Sequence, residues 1–287
     1  MSYRPRKVTV LTHKNTGQTA EPLRVLIDAL VSAGVEVRLP PDEVEKHGIE
    51  SSEGVLLGAD PAENGTDLAV VLGGDGTMLH ALRTFAGREV PVFSFNFGAI
   101  GFLATMERNE FDEGLQRVIR GDFDVLKLPA LSIEVNGTRY LAVNDVSFHR
   151  RANNRVAELA FSVEGDELGE VRCDGLVAST PAGSTGYNLA NGGPILAWGV
   201  EGFVVSFIAP HTLTARALVV ATDAVLAVRN NSDSEPVDVT TDGRILCGLD
   251  PQMEMPIRFL HDQVLLAQKP GSSYYHRLRE KFGRLSY

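Results

Sequence analysis

Residues Leu68 to Leu72 form an unbroken apolar run that ends in Gly73-Gly74-Asp75-Gly76-Thr77. Beyond the glycines, Met78, Leu79, Leu82 and Phe85 return at helical spacing. A short apolar run without polar alternation is the pattern of a strand covered on both faces, as in the middle of a parallel sheet. The period changes from strand to helix within five residues, which predicts a strand–turn–helix unit with the glycines at its turn.

The flanking sequence agrees. Lys7 to Thr12 reads as a buried strand, and Leu23, Leu26, Ile27, Leu30 and Val31 then share one helical face, with Gly34 where a helix C-cap belongs. Val35 to Leu39 and Pro91 to Phe95 read as further strands, Glu110 to Ile119 as a helix, and Pro40 to Asn64 as a connection with room for a short helix. From Phe123 strands and turns take over. Leu131 to Val135 and Arg139 to Val143 flank Asn136-Gly137, a hairpin signal because both residues tolerate positive φ. Leu159 to Val163 and Glu170 to Ala178 flank a turn around Gly165-Asp166, and Phe203 to Ile208, Ala217 to Val220, Ala224 to Val228, Val237 to Thr241 and Met255 to Leu260 are β-type runs. The fold class expected is α/β. Residues 1–122 form an N-terminal Rossmann-like α/β domain, residues 123–270 a second, mainly antiparallel β-sandwich domain, and the tail 271–287, with a helix over Ser273 to Phe282, packs back on the first.

Composition narrows the function classes. At 287 residues and 44% hydrophobic, the chain can build two modest cores. A formal net charge of −10 without a basic face argues against a nucleic-acid partner. Cys173 and Cys247 are far apart and form no C-x-x-C pair, so neither a disulfide framework nor a structural zinc site is expected. The N-terminal apolar run is too short for a signal peptide, and no stretch has the length of a membrane span. The sequons at Asn64, Asn136 and Asn230 are then chance matches, and a reducing cytoplasm is the expected compartment.

A glycine-rich turn opening a helix is an anion site, because free N–H groups and the helix dipole point at the ligand. By itself it is also compatible with a tight turn in which Asp75 caps the helix. The turn matches neither G-x-G-x-x-G nor the Walker A loop. An acid among phosphate-binding glycines repels phosphate unless it has a task, such as taking a proton from an attacking hydroxyl or helping to hold Mg²⁺. Downstream, Asn144-Asp145 offers a donor and acceptor for a base edge and an acceptor for ribose. A strand then enters Ser179-Thr180-Pro181-Ala182-Gly183-Ser184-Thr185-Gly186-Tyr187, where hydroxyls and an aromatic ring suit a nucleoside, and Asn191-Gly192-Gly193-Pro194 adds a close-approach turn.

These segments together resemble the NAD kinase family. The GGDGT turn at 73–77 is followed by Asn96-Phe97-Gly98-Ala99-Ile100-Gly101-Phe102-Leu103, Asn144-Asp145, Asp174-Gly175, Ser179-Thr180-Pro181, Gly183-Ser184-Thr185, Tyr187 and Gly192-Gly193-Pro194, in the family's order. Pro210-His211, Arg216 and Asp242-Gly243 look like later family segments, so the resemblance covers about residues 7 to 270. It implies an NAD kinase, a phosphotransferase with an alcohol acceptor that moves a phosphoryl group from ATP or polyphosphate to the adenosine-ribose 2′-hydroxyl of NAD. Asp75 is the implied catalytic residue, a general base or metal-linked group near the reacting 2′-hydroxyl, and the backbone of Gly73, Gly74, Gly76 and Thr77 faces donor phosphate. Asn144 is assigned to the adenine or its ribose, Asp145 to the second ribose, Asp174 to the nicotinamide end, and Thr185 and Tyr187 to the adenosine pocket. Mg²⁺ or another divalent metal is expected, bound mainly through donor phosphates with no metal-ligating residue assigned. A homodimer or homotetramer is expected, and no membrane partner. Ala182, Gly186 and Ala99-Ile100 depart from the family's usual Thr or Ser, Ala and Arg-Leu. Ala182 lacks a hydrogen bond worth about 0.5–1.5 kcal/mol, and Ala99-Ile100 lacks a cation that bears on donor choice. The competing readings are a superfamily kinase for a lipid or sugar, against which the 174–188 cluster speaks, and a non-catalytic NAD(P)-binding sensor, against which Asp75 speaks.

Overall fold

The computed structural model describes residues 4–61, 65–98, 101–152 and 155–283; the Asn64 sequon and the Ala99-Ile100 pair lie outside these. The chain divides into two compact units, Met1–Lys127 with Val264–Tyr287, and Leu128–Gln263.

In the first unit the chain runs β1 (Lys7–Thr12), α1 (Ala20–Ser32), β2 (Glu36–Leu39), α2 (Pro41–His47), β3 (Val55–Leu57), β4 (Leu68–Gly73), α3 (Asp75–Thr84), β5 (Val92–Asn96), β6 (Met106–Glu107) and α4 (Phe111–Arg120). Strands pair in parallel in the order β5-β4-β1-β2-β3. All six residues of β4 are buried, as a central strand without alternation requires. The helix α1 sends Leu23, Leu26 and Leu30 into a core shared with Val8, Val70 and Phe93. It ends at Gly34, whose φ of 75° lets the chain reverse into β2. The short α2 starts with proline at its first position and stops at the left-handed Gly48.

The second unit follows as β7 (Asp124–Val135), β8 (Thr138–Ala142), β9 (Asp145–Arg150), β10 (Ala157–Val163), β11 (Asp166–Cys173), β12 (Gly175–Ser179), α5 (Tyr187–Ala190), β13 (Phe203–Ile208), β14 (Leu218–Val220), β15 (Leu226–Asn230), β16 (Val237–Thr241), β17 (Arg244–Leu249) and β18 (Glu254–Gln268). One antiparallel sheet has the order β14-β13-β12-β9-β16-β17, and a second joins β11, β10, β15 and β18. Phe148, Leu176 and Phe203 of the first meet Leu159, Val228 and Ile257 of the second in one buried cluster, which makes this unit a β-sandwich.

The end of β18 pairs in parallel with β5, Leu266 opposite Val92, and α6 (Tyr274–Phe282) follows within the first unit. The sequence reading of Glu170 to Ala178 as one strand needs correction. The chain leaves one sheet at Cys173 and enters the other at Gly175, where a Cβ would lie 2.2 Å from the Phe148 carbonyl oxygen. The turn before it centres on Glu164 and Gly165, both with positive φ, one residue earlier than read from Gly165-Asp166. Cys173 and Cys247 are free thiols, and burial pushes Cys173 up to about 12. Among the described residues no helix is long and apolar enough to cross a membrane.

Candidate active site

The glycine turn leaves the carboxyl end of β4. Gly74 is the extended N-cap of α3 (φ −100°, ψ −172°), and Asp75 is the first residue of the helix. Positive φ is not the reason for these glycines, since Gly73, Gly74 and Gly76 do not adopt it. At Gly73 and the facing Gly98 the reason is space. A Cβ on Gly73 would lie 2.6 Å from Thr77 Oγ1, and one on Gly98 would lie 3.4 Å from Gly74 Cα, so two stretches of main chain pass close together. A Cβ on Gly76 would meet nothing within 4 Å. The first N–H groups of α3 have no acceptor inside the helix and lie at its positive end, an arrangement suited to an anion. A cavity of about 180 Å³ opens there, lined by His13, Asn15, Gln18, Thr19, Gly74, Phe97 and Gly98. The Thr19 hydroxyl on its wall is buried and has no hydrogen-bond partner among the described residues.

The Asp75 carboxylate accepts from two backbone N–H groups, Phe102 at 3.0 Å and Leu103 at 3.3 Å, and has the Lys281 ammonium 3.8 Å away. Gly101 permits this approach, because a Cβ there would stand 2.0 Å from Asp75 Oδ1. The acid is 38% exposed, so it is both fixed and reachable.

In the second unit Asp145 opens β9, opposite Ser179 of β12. The Asp242 carboxylate, on a turn residue with φ 48°, accepts the N–H groups of Val143 (3.1 Å), Asn144 (2.7 Å) and Asp145 (3.2 Å). The Asn144 carbonyl in turn accepts from Thr180 N–H at 2.8 Å and the Ser179 hydroxyl at 3.2 Å. Gly183 packs on the same carbonyl, and a Cβ there would lie 2.1 Å from it. With its main chain held on three sides, Asn144 keeps a buried side-chain oxygen, Oδ1, with no partner among the described residues. Asp145 is 6% exposed, and burial, reinforced by the nearby Asp242 carboxylate, pushes its pKa up to about 7. Burial also raises the Tyr187 hydroxyl, with smaller contributions from Asp145 and Asp174, which places both carboxylates within electrostatic reach of Tyr187. Asp174 pairs with Arg150 at 2.5 Å. Thr185 is the most loosely held hydroxyl of its turn, 3.4 Å from the Ala182 carbonyl.

The hydroxyls of Ser179, Thr180 and Ser184 bond inward to main-chain carbonyls, so they build the turn rather than present a polar edge. The close approach at Gly193 is to the Asn188 side chain, whose Oδ1 would stand 1.8 Å from a Cβ. His149 escaped the sequence reading: its ring stacks on Tyr187 at 5.6 Å and 11°, and its Nε2 meets Ser147 Oγ at 2.9 Å. The signal was available, because alternation along β9 puts Asp145, Ser147 and His149 on the face opposite the core residues Val146 and Phe148.

An α/β unit with an acid in a helix-opening glycine turn, followed in the chain by a β-sandwich unit with buried polar groups gathered at Asn144 and Asp145, defines a two-domain nucleotide phosphotransferase. The ATP-NAD kinase N-terminal domain model matches residues 30–123, and the ATP-NAD kinase C-terminal domain model matches residues 143–267. The NAD kinase of Nitrosomonas europaea is 34% identical over 276 residues, 94% of this chain and 92% of that protein. Among solved structures, yeast NADH kinase complexed with NADH superposes with a TM-score of 0.87 at 24% identity, covering 98% of this chain and 88% of that one. An NAD kinase from Archaeoglobus fulgidus in complex with ATP superposes with a TM-score of 0.73 at 25% identity, covering 96% and 98%. The chain belongs to the NAD kinase family.

Proposed function

We propose that this chain transfers the terminal phosphoryl group of ATP, or of polyphosphate, to the 2′-hydroxyl of the adenosine ribose of NAD. The observation that carries the chemistry is Asp75, a reachable carboxylate at the first position of α3, steadied by two backbone N–H groups. The main chain of Gly73, Gly74, Gly76 and Thr77 receives the donor phosphates at the helix start. As the bond from the ribose oxygen to phosphorus forms, the bond from phosphorus to the donor's bridging oxygen breaks, and its electron pair leaves with the shortened donor. The hydroxyl proton passes to Asp75. The described residues contain no cluster of three or more His, Cys, Asp or Glu able to hold a metal. A divalent ion, Mg²⁺ in the first instance, would sit mainly on the donor phosphates, where Asp75 could help to hold it, and when bound would neutralise phosphate charge.

Asn144 Oδ1 accepts from the adenine amino group or its ribose, Asp145 binds the second ribose, Asp174 reaches the nicotinamide end, and Thr185 with Tyr187 lines the adenosine pocket. The buried, unpartnered Asn144 oxygen supports this most directly, since such an atom costs stability unless a ligand satisfies it. Two free thiols suit a reducing cytoplasm. A homodimer or homotetramer completes the reading. The test is a coupled assay pairing ATP or polyphosphate with NAD or NADH and detecting the 2′-phosphorylated product. Product formation with NAD and ATP is expected, and none with any pair refutes the proposal.

A further inference from the structure

The segment that holds Asp75 is itself held from the C-terminal helix. Arg277 of α6 donates through Nη1 to the carbonyl oxygens of Phe102, at 3.0 Å, and of Ala104. The Phe102 carbonyl and the Leu103 N–H belong to one rigid peptide plane. Arg277 therefore grips one edge of that plane while Asp75 Oδ1 takes the other, through the Leu103 N–H at 3.3 Å. A cation on the carbonyl polarises the peptide and strengthens what its N–H offers to a carboxylate. The rest of α6 keeps this plane in place. The Phe102 ring packs against Tyr274 and Phe282, with centroids 6.5 and 5.5 Å away, and the Lys281 ammonium lies 5.2 Å over it. The next stretch of chain is tied down as well, by Thr105 Oγ1 donating to the Ala267 carbonyl at 2.7 Å.

We infer that Arg277 is a positioning residue for phosphoryl transfer: it fixes the 102–103 peptide from α6, and that peptide fixes the Asp75 carboxylate. The inference rests on the reading of Asp75 as proton acceptor. It explains why a tail helix carries a half-buried guanidinium directed at main-chain carbonyls rather than at solvent. It also makes the chain after β18 part of the catalytic apparatus, although no residue of it is assigned to touch either substrate.

A mutant cycle tests this, with Arg277→Met and Arg277→Lys each placed in the parent and in the Asp75→Asn background. The readouts are kcat and KM at saturating co-substrate, with Tm as the fold check. A displacement of about 1 Å at a reacting group costs on the order of 10²-fold. Arg277→Met is therefore expected to lower kcat by about that factor, with KM for NAD and ATP within about threefold. In the Asp75→Asn background the same change is expected to alter kcat by less than about threefold, because the group it positions is gone. Arg277→Lys keeps the charge and a single donor nitrogen but loses the planar fork, and should fall between parent and Met. If Arg277→Met does not fold, the Lys variant decides by the same comparison. Equal losses in both backgrounds, or a parent-like kcat for the Arg277 variants, would overturn the inference and leave the role of Asp75 standing. A parent-like rate for Asp75→Asn alone would instead remove the premise.

Discussion

Replacing Gly183 by alanine probes the joint that holds Asn144, the residue proposed to bind the adenosine part of NAD. The added Cβ would stand 2.1 Å from the Asn144 carbonyl oxygen and 2.6 Å from Asn144 Cα, whereas real Cβ atoms essentially never come within 3.0 Å. Both are main-chain atoms and cannot rotate aside, so the two stretches of chain at the joint must separate by about 0.9 Å, the shortfall between 2.1 and 3.0 Å. That separation pulls on the Thr180 N–H bond to Asn144 O (2.8 Å) and the Thr180 hydroxyl bond to Val143 O (2.7 Å). Overpacking of this kind costs roughly 1–3 kcal/mol. If it falls on the bound geometry of Asn144, NAD affinity drops by about 5- to 150-fold, at 1.4 kcal/mol per factor of ten. Calorimetric titration of NAD into Gly183→Ala measures this directly, with Gly199→Ala as control because a Cβ there meets nothing within 4 Å. A Gly183→Ala protein that binds NAD within twofold of the parent would refute the reasoning.

Asn144→Ala removes the unpartnered Oδ1 and should raise the KM for NAD by about 2- to 13-fold, the equivalent of one neutral hydrogen bond, with a smaller effect on ATP; steady-state kinetics with each substrate varied decides it. Asp145 has its folded pKa raised to about 7 from an ordinary value of 3.8. Its contribution to stability is therefore full below about pH 4 and is lost as pH rises through about 7. Asp145→Asn should accordingly raise Tm by more at pH 8 than at pH 5 in thermal melts, and an equal shift at both would contradict the assignment.

The first unit was legible where burial is total. A strand covered on both faces, such as β4, has nothing but apolar residues to show, and α1 announces itself by Leu23, Leu26 and Leu30 on one face. Less was readable where pairing is non-local. Nothing near Leu266 reveals that it will lie beside Val92, because a parallel contact between distant segments leaves no local periodicity. The half-exposed β17 shows too weak an alternation to stand out. The Asn136-Gly137 hairpin was legible for a different reason: both residues do take positive φ, 51° and 75°. At the site, residue identities pointed to Asp75, Asn144, Asp145 and Tyr187, but not to what holds them. The Asp242 carboxylate on three consecutive N–H groups and the Arg277 grip on Phe102 both join residues far apart in sequence, and only the folded chain shows them.

The most direct test of the account is the kcat of purified, folded Asp75→Asn at saturating ATP and NAD with Mg²⁺ present. Asn is nearly isosteric and can still accept through its carbonyl oxygen from one of the N–H groups at Phe102 and Leu103, but it cannot take a proton from the ribose hydroxyl. General-base assistance is worth about 10²–10⁴-fold, so kcat should fall by at least that range while NAD binding persists. A rate within a few-fold of the parent would contradict the account and leave Asp75 as a helix-end residue without a part in the chemistry.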